Sequence, residues 1–484
     1  MKQCCIPGFC GYLGFHHGTG SEFPPVLPRY QEGTVLLHHE FDVVIVGGGN
    51  AGFGVSLILQ DTEKSVAFIE DREFGGTCPN RGCTPKKVLV AAATAMHDID
   101  LAKHHGIDVG PAKLNWGRLI ARKDEMIGFI PDAMKSLAEK RSTVFEGWAT
   151  FTGPNTVQVG ADTIEGKDIV IATGSTPRPL PFPGADLTIT SDEVLSDPEL
   201  PSHVVFVGGG VIAMEFSHVY ARAGAEVTIL EAMPQVLPRH DVDGVAVLTA
   251  ETERLGVTVK TGVKVNTIES NDGRVVISFE HEGSRHTITA DRAVNGTGRI
   301  ANIGGLDLEA ANVKHDGIRI EVDEYLRSTS NPSVWVAGDA LVHSAQLSPL
   351  ATYEGQVVGK NIVNGITEKP DYSVVPSSVF TVPAFTSVGL TEAEAREQRC
   401  DIDVKTNDMS GWFSAKTYAE TAAWAKVLID KETDKILGAH LIGHRGEDLV
   451  QIFALAMRHG ITATDLKDSP TAYPTFASDI KNLL

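Results

Sequence analysis

The chain has 484 residues, which is too long for one hydrophobic core and favours about three domains. Its formal charge of −20, with no basic face in the sequence, excludes a nucleic-acid backbone as partner and opposes docking on an anionic membrane. No apolar run reaches about 18 residues, and only six cysteines are present, so we expect a cytoplasmic protein that does not span a membrane.

The first 40 residues have no sustained hydrophobic period and are rich in Gly, Pro and His. We interpret residues 1–40 as a disordered leader or tag. Cys4, Cys5 and Cys10 lie in this segment, and the alternative for them is a soft-metal site.

Two segments then repeat one pattern, FDVVIVGGGNAGFG from Phe41 and HVVFVGGGVIAMEF from His203. In each, an apolar strand runs into closely spaced small residues, and an acid follows 23 residues after the first glycine. The residues are Gly47, Gly49, Gly52 and Glu70 in the first copy and Gly208, Gly210, Ala213 and Glu231 in the second. The pattern predicts two Rossmann-like dinucleotide folds, whose backbone N–H groups hold phosphates while each glutamate hydrogen-bonds a ribose.

Three later segments extend this prediction. IVIATGS, with Thr173 and Gly174, and AVNGTGR, with Gly298, read as strand-to-turn segments that close over the two nucleotides. VWVAGDA ends in Gly338 and Asp339 before a helix predicted near Pro349, where an acid can hold the polyol chain of a flavin. Beyond residue 370 the pattern changes to that of a separate α+β domain.

The segment GGTCPNRGCTPKKV, residues 75–88, carries Cys78 and Cys83 and allows three interpretations: a structural staple, half a zinc site, or a redox couple. A disulfide that closes so small a loop adds little stability. Zinc needs further ligands, and the other cysteines are Cys400 and the leader trio. A helix start lowers the pKa of a thiol, which favours the redox interpretation.

The motifs GGTCPNRGCTPKK, IATGSTPRP, GTGR, VAGDA and GAHLIG together resemble those of the flavoprotein pyridine-nucleotide:disulfide oxidoreductases, over residues 41–484. That family includes glutathione reductase, dihydrolipoamide dehydrogenase, mycothione reductase and mercuric reductase. The resemblance implies an α/β fold with two Rossmann-like FAD- and NAD(P)-binding domains plus a C-terminal α+β dimerisation domain, in a homodimer with a composite active site. The expected segments are 41–189 (FAD, first segment), 190–300 (NAD(P)), 301–369 (FAD, second segment) and 370–484 (interface domain).

The resemblance also implies roles for single residues. Cys83 lies against the flavin and Cys78 attacks the substrate, which is a small disulfide or a metal ion. Lys87 takes the place of the lysine beside the flavin, and Glu215 takes that of the acid paired with it. The cofactor-binding set further contains Gly76, Thr77, Lys87 and Ala149.

Glu231 favours NADH over NADPH, because a carboxylate repels the additional phosphate of NADPH. Arg239 lies a few residues further on and weakens this preference.

The chain departs from the family near its end, in TAYPTFASDI. Tyr473 stands at the position of the family's catalytic histidine, Ser478 stands at that of its glutamate, and Asp479 follows. Oxidation of a dithiol needs a base that takes its proton. Because the pKa of tyrosine is near 10 and that of histidine is near 6.5, tyrosine is a poor base at neutral pH, and this reaction is disfavoured. Reduction of a disulfide needs only a proton donor, which Tyr473 can supply. His343, on a loop after Asp339, is a candidate substitute base.

We therefore expect an NAD(P)H-dependent flavoprotein disulfide reductase similar to glutathione reductase. One alternative is a metal or metalloid ion reductase that uses the cysteine pair and Tyr473, since mercuric reductase also has tyrosine at the histidine position. Against it, this chain ends in KNLL without the vicinal cysteines of that enzyme. The other alternative is a flavin redox sensor with diaphorase activity.

Overall fold

A computed structural model describes residues 37–341, 345–398 and 400–484. The predicted leader boundary at residue 40 is wrong, because the first strand begins at Leu37. Its first residues pair with the strand that contains Asp162, and His39 Nε2 lies 2.7 Å from Asp162 Oδ1. Cys4, Cys5, Cys10 and His343 lie outside the described residues.

The strands follow in chain order. They are β1 (Leu37–Val46), β2 (Val66–Glu70), β3 (Thr143–Glu146), β4 (Ala149–Gly153), β5 (Thr156–Val159), β6 (Asp162–Ile171), β7 (Ser175–Pro177), β8 (His203–Val207), β9 (Glu226–Leu230), β10 (Thr258–Lys260), β11 (Lys264–Asn271), β12 (Arg274–His281), β13 (Ser284–Ala290), β14 (Arg292–Asn295), β15 (Arg299–Ala301), β16 (Val334–Val336), β17 (Ser377–Val379), β18 (Ala384–Gly389), β19 (Ile402–Asp408), β20 (Trp424–Asp430) and β21 (Ile436–Gly443).

The α-helices follow in the same way. They are α1 (Asn50–Leu59), α2 (Thr77–Arg81), α3 (Cys83–Leu101), α4 (Trp116–Ile127), α5 (Ile130–Glu139), α6 (Ser191–Ser196), α7 (Val211–Ala223), α8 (Val242–Arg254), α9 (Ser348–Asn364), α10 (Glu392–Glu397), α11 (Phe413–Thr417), α12 (Gly446–His459), α13 (Ala463–Asp468) and α14 (Ile480–Leu483).

The first sheet has the order β3-β2-β1-β6, and β16 also pairs with β6. These pairings are all parallel, and the antiparallel strands β5 and β4 follow on from β6. The run Val43–Val46 is buried on both faces, as expected of a parallel strand covered by helices. The loop between β1 and α1 follows the carboxyl end of β1. It lies at the carboxyl edge of this sheet, where open α/β sheets bind ligands.

A second parallel sheet has the order β10-β9-β8-β14 and repeats the strand–loop–helix arrangement at β8 and α7. The strands β11, β12 and β13 come between β10 and β14 in the chain and pair with one another in antiparallel fashion. This confirms the α/β class that the repeated glycine pattern predicts.

The C-terminal sheet is antiparallel, in the order β17-β18-β21-β20-β19, and α12 packs against β18 and β21. Lys426 on β20 is 1% exposed and lies 3.0 Å from Asp241, 2.6 Å from Asp243 and 3.0 Å from Glu392. Asp241 caps α8, so the buried Lys426–Asp241 ion pair holds the C-terminal sheet against this helix. Among the described residues, no helix is long and apolar enough to cross a membrane.

Candidate active site

A cleft at the carboxyl edge of the first sheet brings together most of the predicted cofactor residues of the first repeat. Those that line it are Gly47, Gly49, Glu70, Gly76, Thr77, Ala149, Thr173 and Gly174. Gly52 serves packing instead, because a Cβ at this position would lie 2.2 Å from the carbonyl oxygen of Gly47. Gly47 itself has a φ of +113°, a conformation that favours glycine and makes the tight turn possible.

Glu70 ends β2 and orders this turn. Its carboxylate accepts hydrogen bonds from the backbone N–H groups of Gly48, at 2.6 Å, and Arg72, at 2.8 Å. Burial raises the pKa of Glu70, and the two backbone bonds oppose that shift. The carboxylate thus holds the glycine loop in shape, in addition to the ribose contact that the sequence predicts.

Thr173 shows that the cleft suits a polar ligand. Its hydroxyl is buried and has no hydrogen-bond partner among the described residues, although it belongs to the lining of the cleft. A buried hydroxyl without a partner is costly, so a polar group from a bound ligand would satisfy it.

Asp339 is connected to the lining of the cleft by hydrogen bonds through Ser175 and Arg299. The Ser175 hydroxyl donates to Asp339 Oδ2 at 2.9 Å, and Arg299 Nε donates to the Ser175 oxygen at 2.9 Å. Burial raises the pKa of Asp339, whereas Ser175 and the Arg299 charge lower it. Burial also lowers the pKa of Arg299. The backbone N–H of Gly338 donates to the Glu354 carboxylate at 2.9 Å, so Gly338 has a structural role.

The second repeat has the same local chemistry at β8 and α7. The buried Glu231 carboxylate accepts from the N–H groups of Gly209 and, at 2.6 Å, Met233. Gly208 has a φ of +99°, and a Cβ there would lie 2.7 Å from the Gly296 carbonyl. The small residues Gly210 and Ala213 start α7, and Gly298 has a φ of +103° in the facing turn. Arg239 is exposed.

The cysteine pair lies where α2 meets α3, and Cys83 is the first residue of α3. Both cysteines are free thiols in this structure, Cys78 half-buried and Cys83 exposed. The pKa of Cys78 falls to about 6, chiefly because the Cys83 thiol hydrogen-bonds to its sulfur, with smaller help from Ser348 and the Lys86 charge. The same shared hydrogen bond raises the pKa of Cys83. The two sulfurs therefore titrate as a pair, in which the thiolate is favoured on Cys78.

The lysine beside this pair is Lys86 and not Lys87. Lys86 Nζ donates to Glu215 Oε1 at 2.8 Å, and these side chains are 15% and 3% exposed. Lys87 Nζ lies 3.5 Å from Glu447 on α12 and is about half exposed. The predicted pairing of Lys87 with Glu215 is therefore wrong, because α3 turns Lys86 towards α7 and Lys87 towards the C-terminal sheet.

Tyr473 lies apart from these groups, on the C-terminal side of the chain. Its side chain is 77% exposed and has no hydrogen-bond partner among the described residues. It lines a cleft of about 800 Å³ together with residues of α11 and α12. Ser478 bonds to Thr475, and Asp479 accepts from Ser414, so the part of the chain that the structure describes gives Tyr473 no orienting acid.

The structure adds an imidazole–carboxylate contact that the sequence analysis missed. His444 Nδ1 lies 3.2 Å from Glu420 Oε1, and the ring stacks on Tyr418 and Phe476 with centroids 4.8 and 5.0 Å away. Arg445 Nε donates to the other ring nitrogen. Because both ring nitrogens of His444 have polar partners and its ring is stacked between aromatic side chains, these contacts give His444 a structural role.

Other residues of the site also escaped sequence analysis. Lys86, Ser348 and Phe380 contact the thiol pair or its neighbours. Lys86 follows Cys83 by three residues and Lys87 by four, and both spacings place side chains on one helix face. The spacing therefore signals a lysine but does not choose between them, and Ser348 and Phe380 are too distant in sequence to leave any local signal.

Comparison with known proteins matches nearly all of the described chain. Residues 41–355 match the family described as pyridine nucleotide-disulphide oxidoreductase, and residues 375–484 match the dimerisation domain of that family. Glutathione reductase of Burkholderia cepacia is 31% identical over 447 residues, which are 92% of this chain and 98% of that protein. Mercuric reductase of Staphylococcus aureus is 30% identical over 448 residues, 91% of this chain and 81% of that protein. Among solved structures, the Cu(II) complex of the HOCl-induced flavoprotein disulfide reductase RclA from Escherichia coli superimposes with a TM-score of 0.82 at 28% identity, covering 92% of this chain and 99% of that one.

Proposed function

The chain belongs to the pyridine nucleotide-disulphide oxidoreductase family, and on that premise we propose that it is an NAD(P)H-dependent flavoprotein reductase of a low-molecular-weight, glutathione-like disulfide. The observation that carries the proposal is the pair Cys78 and Cys83, which lie on either side of the junction between α2 and α3 and shift each other's pKa. Gly76 and Thr77, which line the cleft, come directly before Cys78 in the chain.

FAD fits the cleft at the first sheet. Gly47 and Gly49 would approach its pyrophosphate, Glu70 its ribose, and Asp339 its polyol chain, while the Thr173 hydroxyl would gain the partner that it lacks. The bound flavin would supply two-electron transfer between the nicotinamide and the sulfur pair. We propose residues 41–189 and 301–369 as the FAD-binding segments and 190–300 as the NAD(P)-binding segment.

We propose NADH as the preferred electron donor. Both oxygens of Glu231 are held by backbone N–H groups, so the carboxylate is fixed at the end of β9, where the adenosine ribose of a bound nucleotide is expected. A fixed negative charge disfavours a 2′-phosphate there. The exposed Arg239 is the residue that could offset this preference.

Lys86 and Glu215 stabilise charge beside the thiols. The ammonium group lowers the pKa of Cys78 and so favours its thiolate. Glu215 is almost fully buried and keeps the ammonium group in place through a charge-assisted hydrogen bond. Negative charge that develops near this lysine during electron transfer is stabilised in the same way.

The chemistry of the sulfurs can be written on this chain alone. The Cys78 thiolate attacks one sulfur of the substrate, RS–SR, which forms a Cys78–SR mixed disulfide and expels RS⁻. A proton donor converts RS⁻ to RSH. Cys83 then loses its proton and attacks the Cys78 sulfur, so the Cys78–Cys83 disulfide forms, and the second RS⁻ leaves and takes up that proton as RSH. The substrate gains two electrons and two protons, and the thiol pair loses two electrons.

Tyr473 is our proposed proton donor for the departing thiolate. The match of residues 375–484 to a dimerisation domain supports a homodimer, and we propose that these residues, from 370 on, form its interface. The exposure of Tyr473 suits a side chain that works in the composite active site of such a dimer. Phenol is a weak acid, and its contribution is therefore modest.

A second candidate function is the reduction of a soft metal ion. Two thiols within hydrogen-bonding reach offer soft ligands. Two relatives point the same way, the mercuric reductase and the Cu(II) complex of RclA. The disulfide remains our first choice because the segment GCTPKK resembles that of glutathione reductase.

A panel of electron acceptors tests the proposal. Anaerobic oxidation of NADH and NADPH is followed with glutathione disulfide, other low-molecular-weight disulfides, mercuric ion and cupric ion. We expect one disulfide to have the highest kcat/KM, and Cys78→Ser to abolish its turnover while Cys400→Ser does not. Turnover of metal ions alone would favour the second candidate, and dye reduction that survives Cys78→Ser without any disulfide turnover would favour a redox sensor.

A further inference from the structure

Phe380 connects the elements that surround the thiol pair. It lies between β17 and β18, and its backbone N–H donates to Glu215 Oε1 at 2.8 Å. The same oxygen accepts from Lys86 Nζ at 2.8 Å. Phe380 therefore shares one acceptor atom with the lysine that lies beside the cysteines.

The ring of Phe380 also faces two cations. Lys86 Nζ lies 4.4 Å from its centroid and Lys87 Nζ 3.9 Å. An ammonium group at such a distance is attracted by the negative face of the ring. Adjacent lysines repel each other, and the ring and two carboxylates, Glu215 and Glu447, compensate that repulsion.

We propose that Phe380 is a positioning residue for Lys86: its ring faces the ammonium group and its backbone N–H holds Glu215, so that together they keep the ammonium group beside Cys78 and Cys83, and loss of the ring makes the thiolate harder to form. This inference rests on the proposed function, because it concerns the same thiol pair. Phe380 acts through Lys86 and does not itself contact the substrate.

Among the described residues, few charged side chains surround the thiol pair and the ring of Phe380. Lys86 stabilises the thiolate of Cys78 and also lowers the pKa of Cys83. Glu215 accepts from Lys86, and Glu447 lies beside Lys87. The ring has no charge of its own, so removing it changes the position of the lysines and leaves every formal charge in place.

The test measures how fast the reduced protein is alkylated. The purified flavoprotein is reduced with dithiothreitol, desalted anaerobically and treated with iodoacetamide from pH 4.5 to 9, with labelling at Cys78 and Cys83 followed by mass spectrometry. In the unchanged protein we expect a midpoint near pH 6. Phe380→Leu should raise that midpoint by about half a pH unit, which is about 0.7 kcal/mol. Labelling at pH 6 then slows about twofold and is unchanged above pH 8.

Matched variants separate this effect from a general loosening of the fold. Phe380→Tyr keeps an aromatic face and should restore the midpoint, while Phe380→Met replaces the ring at similar volume and should shift it if Phe380→Leu does not fold. Phe182→Leu is the same substitution at another half-buried phenylalanine and should leave the midpoint unchanged. In a Lys86→Gln background, Phe380→Leu should have no further effect, because the lysine through which it acts is gone.

Two results would overturn the inference while the proposed function stands. One is a low wild-type midpoint that neither Phe380→Leu nor Phe380→Met changes. The other is an equal shift with and without Lys86, which would show that the ring acts by some other route. A wild-type protein whose two cysteines lack a reactive thiolate below pH 8 would instead overturn the proposed function together with the inference.

Discussion

Lys86 Nζ lies 2.8 Å from Glu215 Oε1, and this contact joins α3, which begins at Cys83, to α7, which follows the second glycine loop. Glu215 is five residues beyond Gly210 on α7, and Lys86 is three beyond Cys83 on α3. The contact therefore joins the second nucleotide fold to the thiol pair. It also distinguishes the two adjacent lysines, since Lys87 points to Glu447.

The first prediction concerns these two lysines. Lys86→Gln removes a partly buried cation next to the thiols, and we expect NADH-dependent turnover of the best disulfide to fall about tenfold or more. Lys87→Gln removes an exposed cation and should change turnover by about twofold at most. Steady-state kinetics of the two variants measures both effects, and equal losses would contradict the assignment of Lys86.

The second prediction concerns pH. The pKa of Cys78 lies near 6, below its ordinary value, because its thiolate accepts a hydrogen bond from Cys83. The reactive form is therefore present above pH 6 and is lost as the pH falls below it. The rate at which the reduced protein attacks a disulfide should fall about tenfold per pH unit below 6 and stay nearly constant from pH 7 to 8. A single rise centred near pH 9 would show that the shared hydrogen bond does not form in solution.

The third prediction concerns Glu231. Glu231→Ala removes the acceptor of two backbone N–H groups in the glycine loop, so the loop loses its shape as well as its charge. We expect the KM for NADH to rise about tenfold, which is about 1.4 kcal/mol, without efficient use of NADPH. Glu226→Ala is the control, because Glu226 is an exposed acid at the start of β9, the strand that Glu231 follows. A clean exchange of preference to NADPH would show that the carboxylate acts by charge alone.

The fourth prediction concerns stability. Lys426→Ala leaves the buried Asp241 without its cation, together with Asp243 and Glu392. Breaking a buried ion cluster in this way costs about 3–5 kcal/mol of unfolding free energy. Lys431→Ala removes an exposed ion pair from the end of the same sheet and should leave the melting temperature unchanged. Thermal unfolding of both variants measures the difference, and similar melting temperatures would contradict the role of the cluster.

Much of this architecture is accessible from sequence, because its causes are local. The glycine loops and their glutamates lie within one strand–helix–strand unit each, so spacing alone predicts that Glu70 and Glu231 stand near the cofactor sites. The hydrogen bonds from each carboxylate to its own loop are seen only in the structure. The strand pair β20 and β21 and the helix α12 likewise follow from apolar periodicity between turn residues. These features need no knowledge of distant parts of the chain.

The choice of Lys86 over Lys87 has a different origin. It depends on where α7 and α12 pack around α3, and Glu215 and Glu447 are far from the lysines in sequence. The same holds for Phe380, whose ring meets both lysines only after the C-terminal sheet has docked. The three carboxylates around Lys426 also come from two segments that are distant from it in the chain, so charge pattern along the chain does not reveal them.

The passage of two electrons through Cys78 and Cys83 is the central claim, and differential alkylation tests it most directly. The purified, oxidised flavoprotein is treated anaerobically with one equivalent of NADH, and iodoacetamide labelling of each cysteine is compared before and after by mass spectrometry. The account predicts that Cys78 and Cys83 are protected before NADH and labelled together after it, while labelling of Cys400 does not change. Unchanged labelling of this pair, in a protein that still reduces its disulfide substrate, would contradict the account.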